Sequence, residues 1–219
     1  MSTAPVAGQW PPKTCEMPDL AGLNAKASLT LLLNRMSAAG GPKDPKSYAF
    51  VMNFIRVVDK LIVEYERTRA ALNEYVSTPN NVISPLIYAT NNCESCITTM
   101  VRAIKLGRRI RRDQNGPPIA KKMPVLFDSI WSKLNEMRGA IEHIDEQFSN
   151  NTWVPGEPVC LLLKSDRLEL TGREILYVEL ADWVRQLNNL AIQLAQYKES
   201  SSNHGEAAEP GAAPDHGGI

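Results

Sequence analysis

Arg138 and His143 are the residues of this chain best suited to phosphodiester chemistry. They lie in the stretch Met137-Arg138-Gly139-Ala140-Ile141-Glu142-His143-Ile144-Asp145-Glu146, and His143 is the only histidine ahead of the C-terminal tail. A histidine exchanges a proton near neutral pH, and an arginine offers phosphate oxygens a planar fork of donors. Five residues at about 100° each leave the two side chains about 140° apart on a straight helix. Convergence on one atom therefore requires a kink or a second subunit. The plainer use of the same residues is an ion pair from Arg138 to Glu142, one turn on, with His143 an ordinary surface histidine.

The second candidate is a basic run, Arg102, Lys105, Arg108, Arg109, Arg111 and Arg112, followed after Asp113 by Lys121 and Lys122. The chain carries 24 basic and 24 acidic residues, so any attraction to nucleic acid must come from such local clustering. Phosphate contacts are the simplest use of the run, although cations are also favoured at a helix C-terminus by the macrodipole. No aromatic residue is interleaved with these charges, so a base-stacking surface is not indicated. Glu94, between Cys93 and Cys96, is a candidate acid for orienting Arg138, its plainer reading being exposure to water.

The CxxC spacing of Cys93 and Cys96 falls inside a helical pattern, away from the helix N-terminus that lowers a redox thiol's pKa. Cys15 and Cys160 supply no second CxxC for zinc. His204 and His216 lie in the tail, so no metal and no cofactor is expected. Without a Gly-rich phosphate loop, a GxSxG elbow or an HExxH pair, the common nucleotide hydrolases, serine hydrolases and zinc proteases are disfavoured.

The elements that must position these residues follow from hydrophobic periodicity. A length of 219 residues with 43% hydrophobic content fits one domain with flexible ends. Residues 1–19 carry four prolines, and 199–219 are almost entirely small and polar. Both are expected to be disordered. Leu20 to Ala39 reads as a short helix stopped by Gly40-Gly41-Pro42. From Ser47, Val51, Phe54, Val58, Leu61, Ile62, Tyr65 and Leu72 recur at threes and fours until Ser77-Thr78-Pro79. A second run goes from Ile83 to Leu106, a third from Phe127 to Phe148, and a last from Val178 to Tyr197. Val159 to Leu163, a turn at Ser165-Asp166 and the alternation Leu168-Glu169-Leu170 read as a small β-hairpin within about 158–175. The expectation is an all-α, up-and-down antiparallel bundle of four long helices over 20–198, with a short β-hairpin before the last helix. No secretory pattern opens the chain and no apolar run approaches membrane-spanning length, so no membrane association and a cytoplasmic location are expected.

The Arg138 and His143 pair, four residues intervening, together with the segment Arg138-Gly139-Ala140-Ile141-Glu142-His143-Ile144-Asp145-Glu146, resembles the motif region of the HEPN superfamily. The resemblance implies a helical bundle that acts on RNA as a homodimer. Active members are metal-independent endoribonucleases whose motifs face each other across the dimer interface, with toxin or defence roles and antitoxin or other protein partners. It implies that His143 assists proton transfer involving the 2′-hydroxyl and that Arg138 stabilises phosphoryl charge. Active members usually carry a polar residue after the arginine, where this chain has Gly139. A non-catalytic bundle binding RNA or a partner protein is the alternative.

Overall fold

The computed structural model of the protein describes residues 10–23, 26–37, 40–78, 82–118, 124–150 and 160–198, without the side chains at 124–127, 129, 144, 147 and 148. The described chain is mostly helical, with a small three-stranded antiparallel sheet ahead of the last helix. The expected tail 199–219 and the first nine residues lie outside the described residues.

Two long helices form the frame. Helix α2, Pro45–Ser77, begins where the Asp44 carboxylate accepts the Ser47 N–H at 2.7 Å, with Pro45 pre-set for the first turn. At 33 residues it is about 50 Å long. Helix α3, Ser84–Arg112, returns alongside it. The start of α2 meets the end of α3 through Ser47 and Asp113, and mid-helix Glu64 accepts the Ser95 hydroxyl at 2.6 Å. Contacts thus advance along α2 as they retreat along α3, and the pair is antiparallel. Phe54, Leu61, Leu72, Ile97, Met100 and Ile104 are fully buried, each contributing about 1.5–3 kcal/mol relative to exposure. Among the described residues, no helix is long and apolar enough to cross a membrane.

Helix α1 is shorter than its predicted span, covering Ala27–Met36. Residues 17–20, ahead of it, form a strap against α2, next to and partly within the span 1–19 whose composition suggests disorder. The Tyr65 hydroxyl donates to Pro18 O at 2.9 Å, Arg69 Nε to Met17 O at 3.2 Å, and Leu20 N–H to Glu66 Oε1 at 2.7 Å. Side chains of α2 satisfy backbone groups that a helix would have satisfied internally, and Met17 and Leu20 sink into the core. Helix α1 is then pinned by the Ser28 N–H to Asp59 at 3.0 Å and by Asn34 Nδ2 to Ala195 O at 2.9 Å.

The third predicted helix is two pieces, α4, Pro124–Glu142, and α5, Ile144–Ser149, with His143 at the break. Asp145 and Glu146 fall in the first turn of α5, where carboxylates favour a new helix start. The predicted hairpin gains a third strand. Strands β1, Leu162–Leu163, β2, Arg167–Leu170, and β3, Arg173–Leu176, pair consecutively. Thr171-Gly172 is the two-residue loop of a second hairpin, both residues at positive φ as a type I′ turn requires. Helix α6, Tyr177–Ala195, follows at once, with Glu179 accepting the Leu176 N–H at 3.1 Å and the Lys133 ammonium of α4 at 2.6 Å.

Candidate nucleic-acid interface

The cationic end of α3 is assembled by three helices. The Asp113 carboxylate, just past α3, accepts the Ser47 hydroxyl and so ties the first turn of α2 to this corner. From the other side α4 packs antiparallel on α3. Arg108 Nη2 lies 2.8 Å from Asp128 Oδ1, its guanidinium stands 4.3 Å from the Trp131 ring centroid, and Lys105 Nζ stands 5.8 Å from the same ring. Both contacts are cation–π geometries that hold the stems in place.

Two clefts result. One, of about 360 Å³, is lined by Arg108, Arg111, Arg112 and Asp128. The other, of about 500 Å³, is lined by Lys46, Phe50, Arg109, Arg112, Asp113, Gln114 and Asn115. Arg112 lines both. Of the eight cations singled out in the sequence, Arg108, Arg109, Arg111 and Arg112 line the clefts, Lys105 neighbours Trp131, and Lys121 and Lys122 lie outside the described residues. Arg102 is exposed and belongs to neither lining. Lys46, Phe50 and Trp131 join the corner from α2 and α4, which no local pattern around Arg108 announces. Their only sequence signal is their place in helices that must pack on α3. The resulting surface carries excess positive charge beside half-buried aromatic faces, a combination suited to phosphate oxygens.

Arg138 and His143 occupy the other end of α4. Arg138 closes its fork on Glu142, Nε donating to Oε1 at 2.7 Å and Nη2 to Oε2 at 2.5 Å. His143 Nδ1 lies 3.0 Å from Oε1 of Glu146, with both side chains more than half exposed. Each side chain thus holds its own carboxylate, and a single chain does not bring the pair onto one point. Ten positions of α4 separate Arg138 from Asp128, so the pair stands about 15 Å along the helix from the clefts. Glu94 is half-buried, and burial raises its carboxyl above the usual range. The fork of Arg138 is filled by Glu142 instead.

Cys93 and Cys96 are buried thiols, that of Cys93 pushed up to about 12 by desolvation. A protonated thiol in an apolar site is a packing group. Among the described residues, no cluster of three or more His, Cys, Asp or Glu is arranged to hold a metal ion. No protein-family model, no curated protein and no solved structure matches the chain.

Proposed function

We propose that this chain is an RNA-binding helical bundle whose contact surface is the cationic end of α3. The observation that carries the reading is the gathering of Lys46, Arg108, Arg109, Arg111 and Arg112 around two adjoining clefts, on a chain whose 24 basic and 24 acidic residues balance overall. RNA and a homodimer come from the HEPN-like segment around Arg138, and a cytoplasmic setting agrees with the sparse, unpaired cysteines Cys15, Cys93, Cys96 and Cys160. In this reading α2, α3, α4 with α5, and α6 make an up-and-down bundle, which the antiparallel α2–α3 and α3–α4 contacts support. The test is binding of fluorescent RNA at low salt. Native protein should bind and the Arg109→Ala/Arg112→Ala variant should bind weakly, whereas no binding by the native form would end the reading.

A second reading, metal-independent endoribonuclease, is favoured by the exposed position of His143 where α4 ends. Its N–H still donates to Gly139 O at 3.0 Å, so the helix is regular from Arg138 to His143 and convergence of the pair is left to a second subunit. Glu146 on Nδ1 fixes the ring so that Nε2 is the working nitrogen. Arg138 exchanges Glu142 for a phosphoryl oxygen, with both chains of the homodimer contributing. Cleavage of RNA in EDTA by native protein, lost in folded Arg138→Ala and His143→Ala variants, would support it, and equal cleavage by all three would remove it.

A further inference from the structure

We propose that the cleft between the first turn of α2 and the segment after α3 is a subsite for one nucleotide with an unpaired base, an inference that rests on the RNA reading. The lining residues divide by chemistry. Lys46, Arg109 and Arg112 are exposed cations, Phe50 is a half-buried ring, and Gln114 and Asn115 are exposed amides. These are the three kinds of group that a nucleotide asks for: charge for the phosphate, an apolar plane for the base, and paired donors and acceptors for its edge. The volume of about 500 Å³ lies in the range of small-ligand sites.

Two spacings set the arrangement. Lys46 and Phe50 are four residues apart on α2, and Arg109 and Arg112 three apart on α3, so each pair shares a helix face. The antiparallel crossing turns those faces towards one another across the cleft. The one acid among the described lining residues, Asp113, is occupied within the protein, accepting the Ser47 hydroxyl and the Asn115 N–H, the latter at 3.3 Å. Lys46, Arg109 and Arg112 outnumber Asp113 and the Asp44 carboxylate that interacts with Lys46, so the charge around the cleft stays net positive. Among the described residues, the neighbouring cleft has no ring in its lining, and its Arg108 already holds Asp128. Because Arg112 lines both, a strand crossing the last turn of α3 would place one nucleotide on Phe50 and the adjacent phosphate against Arg111 and Arg112. A base inside a duplex is already stacked on its neighbours and cannot offer its face to Phe50.

The test is fluorescence anisotropy with a short unpaired RNA, the same strand in a duplex, and a free nucleoside monophosphate as competitor. Native protein and Phe50→Leu, which keeps apolar packing but removes the ring, are compared, with circular dichroism to verify folding. Native protein should prefer the unpaired strand, and Phe50→Leu should lose about fivefold or more on that strand and nothing on the duplex. Displacement of the strand by the free nucleotide, abolished in Phe50→Leu, would support the subsite with the free nucleotide as its ligand. No displacement, with the strand preference intact, would support it with the strand. Equal native affinity for strand and duplex, or equal losses on both in Phe50→Leu, overturns the subsite while leaving RNA binding standing. No binding of either form overturns both.

Discussion

Removing Arg109 and Arg112 together should change how RNA binding depends on salt more than it changes anything else about the protein. Lys46, Arg109, Arg111 and Arg112 line the two clefts, while Arg108 is held by Asp128 and is left out of the count. Four phosphate contacts to a single strand give a slope of log affinity against log salt of about −2.8. Affinity should then fall about 50-fold between about 50 and about 200 mM salt. The Arg109→Ala/Arg112→Ala variant keeps two contacts, so its slope should be about −1.4 and its loss over the same interval about sevenfold. Both arginines are exposed at the end of a helix, so the substitution should leave the fold intact, which circular dichroism checks. The assay is anisotropy of a labelled RNA titrated at four salt concentrations. A native slope near zero would show that phosphate contacts do not drive binding, and an unchanged slope in the double variant would place the contacts elsewhere.

Two further outcomes test the interior. Burial raises the Glu94 carboxyl above its ordinary value, so the folded state holds that proton more firmly than the unfolded chain. Its favourable contribution is present in acid and is lost as pH rises through the folded value. Glu94→Gln should therefore raise the melting temperature near neutral pH and leave it unchanged at about pH 4. A lowered melting temperature at neutral pH would instead mean that a cation such as Arg138 engages the carboxylate. Ser95→Ala removes the 2.6 Å hydroxyl donor to Glu64; among the described residues Oε2 is buried without a hydrogen-bond partner and the remaining donor is Lys60 at 3.1 Å. A loss of about 1–3 kcal/mol in chemical denaturation is expected, and a loss below about 0.5 kcal/mol would show that another donor replaces the hydroxyl.

What could be read in advance depended on how far apart the cooperating residues lie. Helices α2 and α3 were legible because Val51 to Leu72 and Ile83 to Leu106 repeat an apolar face at the helical period, a property of each segment alone. The strap at Met17 to Leu20 was not, since its order comes from Tyr65, Glu66 and Arg69 of α2. The third strand was overlooked although its signal was present: Thr171-Gly172, flanked by Leu168-Glu169-Leu170 and Glu174-Ile175-Leu176, is a two-residue hairpin loop. Read as the end of the sheet, that glycine leaves β3 unpredicted; read as its turn, it announces β3. The break at His143 was missed because the apolar stripe continues through Ile144 and Phe148, and periodicity does not register where a helix restarts.

The candidate site divides in the same way. The ion pair of Arg138 with Glu142 and the clustering of Arg108 to Arg112 are consequences of helical spacing, so the chain determined them before it folded. The same local rules determined the long helices, the hairpin turns and the near-neutral charge against which a basic corner stands out. Tertiary structure decided which surfaces those cations share. It brought Lys46 and Phe50 from the first two turns of α2, and Trp131 and Asp128 from α4, to residues more than a dozen positions away in the chain. The reason is physical: a side chain's neighbours across a bundle are set by which apolar faces bury each other and by the crossing direction of the helices, quantities that belong to pairs of segments.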